Sequence, residues 1–365
     1  MSHQYKVLIL GASYGSLLGS KLIMAGHAVS LVCRQKTADL INAEGTRVRM
    51  GIKGREGMVE IDSRQFPGLL QAVTPEAAQV DQYDLVCLAM QEPQYSEPSV
   101  KALMQRIALA KVPCMSIMNM PPLPYLARIP GLNAQEFRAC FHDASVWDNF
   151  EPGLMTLCSP DPQAFRPPEE QPNVLQVGLP TNFKVSRFED PKHNAMLQAM
   201  DEGIANSRLN VNGEMLDLPV KLKLHESIFV PLAKWSMLLT GNYRCVQVDG
   251  MRPIKEAVHS DIAVSQEVYE WVSGLCVLLG ADPHDLVPFE KYANAAQGLL
   301  KPSSAARALA AGATDIERID LLVKLVAAQL NLQSDSVDET VRLVNGWLDK
   351  NRHPVASTQS ASTAA

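Results

Sequence analysis

The chain has 365 residues, a formal net charge of −6 and a sequence pI near 5.8. Hydrophobic residues make up 47% and charged residues 20%, enough apolar material for the cores of two ordinary domains. This balance gives no sign of a nucleic-acid partner, and the apolar run at 7–10 is far too short to cross a membrane and lacks a signal-peptide layout.

The first predicted element is the apolar run Val7 to Leu10, a strand ending at Gly11. The turn Gly11-Ala12-Ser13-Tyr14-Gly15-Ser16 follows, then a helix-like stretch, Gly26-His27, and a second strand through Val29, Leu31 and Val32 that closes at Arg34. Strand, tight turn, helix and strand at this length make one βαβ unit and open a dinucleotide-binding fold. The turn departs from G-x-G-x-x-G because Ser13 and Ser16 occupy the second and third glycine positions. Serine still permits close approach of a diphosphate to backbone N–H groups at a helix N-terminus, and its hydroxyl can donate to phosphate.

Val48 to Met50 and Met58 to Ile61 read as an inserted hairpin. Tyr83 to Ala89 is a buried strand, 100–110 a helix, and Pro113 to Asn119 the next strand. Alternating strands and helices imply a parallel sheet whose carboxyl ends bind ligand. Those ends are Gly11, Arg34, Ala89-Met90-Gln91 and Asn119, which should line one crevice. Cys140 to Cys158 and Val174 to Phe188 read as two more strands joined by a proline-rich loop. From Pro191 on the pattern is helical, with candidates at 192–207, 223–243, 252–279, 284–298, 317–330 and 335–350. The expected plan is an α/β Rossmann-type dinucleotide-binding domain over 1–190, a mostly α-helical domain over 191–350, and a disordered tail over 351–365.

The end of the second strand bears on the cofactor. An acidic residue there takes the ribose hydroxyls of NAD. Here the position is Arg34, followed by Lys36, within a stretch holding six basic residues (Arg34, Lys36, Arg47, Arg49, Lys53, Arg55) against Asp39 and Glu44. A guanidinium suits the extra phosphate of NADP. Arg34, then Lys36, are the expected contacts; Arg47 to Arg55 read as the solvated face of the hairpin. The seven cysteines are scattered without C-x-x-C, as expected of reduced core residues in a cytoplasmic protein. No metal-ligand spacing occurs, and no metal is expected.

Through Gly11 to Ser16, Gly26-His27-x-Val29 and Arg34, and over most of residues 5–345, the chain resembles the ketopantoate reductase family of the 6-phosphogluconate-dehydrogenase-like oxidoreductases. The resemblance implies NADPH-dependent reduction of a 2-oxo acid. The family's Asn-Gly-Met-Gly turn, whose asparagine sits by nicotinamide and substrate, is similar to Asn119-Met120-Pro121-Pro122. The family lysine that helps hold the NADP phosphate is Ala89 here. The family's catalytic lysine, followed at four and eight residues by asparagines, matches Lys234 and Asn242, with Leu238 in place of the first asparagine. Spacings of four and eight share one helix face. The family's Ser-Ser and Thr-Glu pairs resemble Ser303-Ser304, with Ser304 as the substrate contact, and Thr314-Asp315, with Asp315 as the active-site carboxylate and Glu317 as its alternative.

These groups suit the chemistry. Hydride addition to a ketone leaves an alkoxide that needs a proton, which Lys234 can give. Other readings stay open residue by residue. Lys234 could be an exposed lysine, Asn242 a helix end, Ser304 a cap beside Ser303, and Thr314-x-x-Glu317 a capping box with Asp315 in the first helical turn. Leu238 suggests a more apolar substrate. An opine-type dehydrogenase using His225 with an acid, or a non-catalytic NADP-binding sensor, are the competing functions, with His142 another candidate acid. Long helices such as 255–279 could pair two subunits, although no heptad run marks it.

Overall fold

The computed structural model describes residues 3–353. Apolar runs with both faces covered become its central strands. β1 (Lys6–Leu10), β2 (Ala28–Val32), β3 (Arg47–Gly51), β4 (Met58–Asp62), β5 (Leu70–Val73), β6 (Leu85–Leu88) and β7 (Cys114–Ile117) come first. β8 (Met155–Ser159), β9 (Gln163–Phe165), β10 (Val174–Leu179) and β11 (Phe183–Ser186) follow, then β12 (Leu209–Val211), β13 (Glu214–Leu216) and β14 (Leu222–His225). The main sheet has the order β14-β11-β8-β7-β6-β1-β2-β5. Strands β5, β2, β1, β6, β7 and β8 are mutually parallel, β11 is antiparallel to β8, and β14 is parallel to β11. Strand order reverses between β1 and β6, which puts a ligand crevice beyond their carboxyl ends. The parallel Rossmann-type sheet expected from the sequence is therefore present.

The predicted hairpin is present too. It forms β3 and β4 and extends into a second sheet, β4-β3-β10-β9. Helix α1 (Gly15–Met24) is buried along all ten residues; α2 (Gln35–Glu44) and α3 (Pro98–Ala110) follow, then α4 (Leu123–Leu126) and α5 (Pro191–Asn206). By proximity along the backbone the chain forms two compact units, Met1–Lys234 with Cys276–Leu286, and Trp235–Leu275 with Val287–Ala365. Strand β14 adds to the main sheet beyond β11, so residues following α5 stay with the first unit. The second unit is helical. Ile319–Gln329 and Asp335–Arg352 carry buried Leu322, Val326, Val337, Val341 and Val344.

Several expectations are corrected. Residues 140–154 form short 3₁₀ turns, and only Met155–Ser159 is a strand. Val174 to Phe188 is two strands in two different sheets. The helix expected over 223–243 begins as β14, then runs as 3₁₀ over Val230–Ala233, α over Lys234–Met237 and π over Leu238–Asn242. The helix expected over 252–279 breaks into Ile254–His259 and Ile262–Leu278, where the Asp261 carboxylate accepts from Val264 N–H at 3.0 Å. The helix expected from 284 starts at Phe289, after a 3₁₀ turn over Pro283–Asp285. Of the disordered tail expected over 351–365, residues 351 and 352 instead end the helix Asp335–Arg352, and the stretch from residue 354 lies outside the described residues. All seven cysteines are free thiols, and all but Cys33 are buried.

Candidate nucleotide and catalytic site

The predicted turn fits a diphosphate. Gly11 has φ +103°, and a Cβ there would stand 2.7 Å from the Ala89 carbonyl oxygen and 2.7 Å from Met90 Cγ. Only glycine lets the ends of β1 and β6 close this tightly. A Cβ on Gly15 would stand 2.6 Å from Ile9 Cγ2, so Gly15 supplies the close helix–strand packing usually given by the motif's third glycine. Ala12 is buried, and Ser13 is half-buried. The Ser16 hydroxyl donates to the Ser13 carbonyl at 2.8 Å, so it braces the turn. Helix α1 has no acidic residue in its first turn and no side-chain bond at its N-cap, Tyr14, which leaves its N-terminus electrostatically suited to an anion.

Tyr14 ties this turn to a segment that the sequence reading treated as a connector. Its hydroxyl donates to the Pro162 carbonyl at 2.7 Å, and its ring meets Phe183 edge-on at 5.8 Å. Burial, then Cys158 and Asp161, keep the phenol protonated far above its ordinary range. One residue before Pro162 stands Asp161, and Pro160 precedes it. The Lys234 ammonium donates to the Pro160 carbonyl at 2.9 Å and pairs with Asp161 at 3.4 Å. Lys184 of β11 pairs with the same carboxylate at 3.4 Å, and the Ser159 hydroxyl donates to it. Burial would raise the Asp161 carboxyl, but Lys234, Ser159 and Lys184 together hold it below its ordinary value. Asp161 is thus an ionised partner for the predicted lysine that sequence reasoning missed. The available signal was an acid between two prolines directly after a buried strand.

Lys234 follows buried Leu232 and Ala233 and precedes buried Trp235, so its apolar flanks are real while its own side chain keeps 23% exposure. Asn119 lies two residues past the carboxyl end of β7 and is half-buried. The Met90 N–H donates to the Tyr95 hydroxyl at 3.1 Å. Ala89, at the family lysine's position, is buried beneath the turn and brings no charge.

Arg34 is exposed at the N-cap of α2, and Lys36 is exposed at its second residue. Farther along, Arg49 pairs with Glu60 and Glu170, and Arg55 pairs with Glu214. Both belong to the hairpin cluster read as a solvated face; their partly exposed side chains are engaged with acids that the sequence did not point to. Arg166, not singled out from the sequence, is half-buried just past β9; its charge and that of Arg34 both act on the Cys33 thiol.

In the second unit, Asn242 ends the π-helical turn, and its carbonyl accepts from the Ser303 hydroxyl at 2.7 Å. Because the turns widen after Met237, the regular period behind the four-and-eight spacing does not continue to Asn242. Leu238 is buried. Ser303 caps the helix Ser304–Ala310 by accepting from Ala306 N–H at 3.1 Å, while Ser304 is exposed at its first position. Asp315 pairs with Arg352 at 2.9 Å and accepts from the Thr314 hydroxyl at 2.9 Å. The expected capping box is absent: the helix begins at Ile319, so Asp315 is outside its first turn. The Glu317 carbonyl accepts from the Tyr243 hydroxyl.

The competing histidines are placed otherwise. His225 ends the edge strand β14, and burial followed by Lys184 lowers its pKa. The His142 N–H donates to the buried Glu92 carboxylate at 3.1 and 3.2 Å.

No protein-family model matches the chain, and no curated protein matches it in sequence. Solved structures do match its fold. A 2-dehydropantoate 2-reductase from Methylococcus capsulatus shares 14% identity at a TM-score of 0.65, covering 96% of this chain and 98% of that one. A ketopantoate reductase from Ralstonia eutropha shares 17% at 0.61, covering 95% and 100%. A D-mandelate dehydrogenase solved with NADH and anilino(oxo)acetate shares 14% at 0.61, again covering 95% and 100%. The chain therefore has the fold of the ketopantoate reductase-like oxidoreductases, an α/β Rossmann-type part followed by a helical part, as its sequence motifs implied.

Proposed function

We propose that this chain is a nicotinamide-dinucleotide-dependent oxidoreductase that reduces a 2-oxo acid to a 2-hydroxy acid, with NADPH as cofactor and Lys234 as proton donor. The shared fold with ketopantoate reductases and a D-mandelate dehydrogenase supports the reaction class. The observation that carries the reading is the Lys234 ammonium, held 2.9 Å from the Pro160 carbonyl and 3.4 Å from Asp161, two residues and one residue before the Pro162 that anchors the glycine–serine turn.

The backbone of Gly11, Ala12, Ser13, Tyr14, Gly15 and Ser16 takes the diphosphate, with Met90 beside Gly11. Arg34 takes the 2′-phosphate, with Lys36 of α2 as a further cation. When bound, reduced nicotinamide supplies the hydride for the keto carbon. Lys234 polarises the keto oxygen and gives it a proton. Asp161 offsets the cost of holding that ammonium charged beside apolar neighbours, and Ser159 and Lys184 fix the carboxylate. Asn119, Asn242 and Ser304 are the substrate contacts that the resemblance suggests. Asp315, engaged with Arg352, is the competing carboxylate.

The test is NADPH oxidation across a panel of 2-oxo acids. Turnover of at least one acid is expected, and Lys234→Ala should lower kcat by about 100-fold or more while NADPH still binds. Asp161→Asn should lower kcat more than Asp315→Asn. Tight NADPH binding without oxidation of any acid would overturn the reductase reading and favour a nucleotide sensor.

A further inference from the structure

We infer that Arg166 grips the 2′-phosphate of NADP together with Arg34, supplying the second cation that Ala89 does not provide. The inference rests on the NADPH reading above. Arg34 stands at the end of β2, where the ribose end of a dinucleotide lies in this fold. Arg166 immediately follows β9, and the Cys33 thiol lies near both guanidinium groups.

Two observations point to an anion. First, the Arg166 Nε is enclosed and has no hydrogen-bond partner, and neither Arg166 nor Arg34 forms a side-chain ion pair among the described residues. Other arginines of this chain are satisfied. Arg318 binds Asp320 through two contacts of 3.0 Å, and although the Arg128 Nε also lacks a hydrogen bond, that guanidinium donates through its other nitrogens to the Met155 and Arg187 carbonyls at 2.7 and 2.8 Å and lies 3.6 Å from the Glu189 carboxylate. Asp39, the acid nearest this corner on α2, accepts from the Gln35 amide at 2.6 Å. A half-buried guanidinium beside a second cation is costly unless a ligand carries the opposing charge.

Second, Arg166 is held in place. The Tyr14–Pro162 bond fixes the segment four residues upstream, and β9 pairs with β10 through Gln176 and Phe165, the residue next to Arg166. Residues 161–166 thus begin at the carboxylate that pairs with Lys234, pass the diphosphate turn at Pro162, and end at the second arginine. One short segment serves the catalytic end, the diphosphate and the 2′-phosphate. Its rigidity keeps the fork of Arg166 preorganised.

Calorimetric titration of the purified full chain with adenosine 2′,5′-bisphosphate and with ADP tests this without any turnover. The wild type should bind the bisphosphate about tenfold or more tightly than ADP. Arg166→Ala should weaken the bisphosphate by about tenfold and ADP by less than about twofold, and Arg166→Lys, which keeps charge but loses the fork, should fall between. Circular dichroism and Tm confirm folding, with Arg166→Gln as the substitute if Arg166→Ala is unstable. Equal weakening of both ligands, or no change in either, overturns the role of Arg166. No preference for the bisphosphate in the wild type overturns the NADP reading and this inference together. Failure of the 2-oxo acid panel would remove the reductase activity while leaving this binding result to stand.

Discussion

Lys21 lies in the fully buried helix α1, with its ammonium 3.3 Å from the Pro219 carbonyl. Burial, then the charge of Lys221, push its pKa down to about 7, against a smaller opposing effect of Asp217. The unfolded chain keeps this lysine protonated up to about pH 10.4. Between pH 7 and that value the unfolded state binds more protons, so the lysine's penalty to folding is full below about 7 and fades as pH rises. Lys21→Met is therefore expected to raise Tm at pH 6 and to lose that advantage progressively toward pH 10, as read by paired thermal melts. A constant gain across that range would show that lost packing strain, and not charge burial, is the cause. At this scale the sequence showed the residues whose types are rare in their context: Lys234 in an apolar run, and Arg34 where an acid is usual. Asp161 and Arg166 were hidden because they lie in a proline-rich stretch that reads as a connector, and no local period says which way such a loop folds back.

Helix α1 meets strands β1 and β2 through glycines, and the fit is uneven along the helix. A Cβ at Gly15 would stand 2.6 Å from Ile9 Cγ2, whereas one at Gly19 would stand 3.3 Å from Val29 Cγ1. Gly15→Ala is expected to cost about 1–3 kcal/mol through overpacking. Gly19→Ala is expected within about 1 kcal/mol of the wild type, because its higher helix propensity offsets a mild contact. Urea midpoints at constant m-value would check both. Elements with a clear period or full apolar run were legible: β1, β2, the β3–β4 hairpin, β6, β7, α3 and α5 all stand near their expected bounds. Those misread were short. β14 has four residues and merges in sequence with the apolar run beginning at Ile228, so strand and helix cannot be separated by period there. The hairpin of β12 and β13 has three-residue strands, below the length at which alternation is visible. The π turn of Leu238–Asn242 follows from backbone packing that no residue type announces.

Across the whole molecule, a parallel sheet was implied by strands alternating with helices, whereas its order β5-β2-β1-β6-β7-β8 and the addition of β11 and β14 were not, because antiparallel return and edge pairing leave no mark in composition. The bond from Tyr14 to Pro162 joins residues 148 apart in sequence and links the turn to the strand end that bears Asp161. Tyr14→Phe removes that donor, leaves the Pro162 carbonyl without it, and is expected to lower stability by about 1–2 kcal/mol and to weaken NADPH binding along with it. Denaturant unfolding and fluorescence titration on the same preparation would check the two effects; unchanged stability with unchanged binding would show the brace to be dispensable.

That brace also sets a schedule. The turn proposed to take the diphosphate lies within the first sixteen residues, yet the aromatic ring at the helix start cannot reach its final anchor until the chain has been synthesised past Pro162 and β8 has docked beside β7. A nascent chain stopped earlier holds a loop with the right composition but without its distant clasp. Nucleotide would then reward only the late stages of assembly, so that competence to bind arrives together with the very segment that carries Asp161.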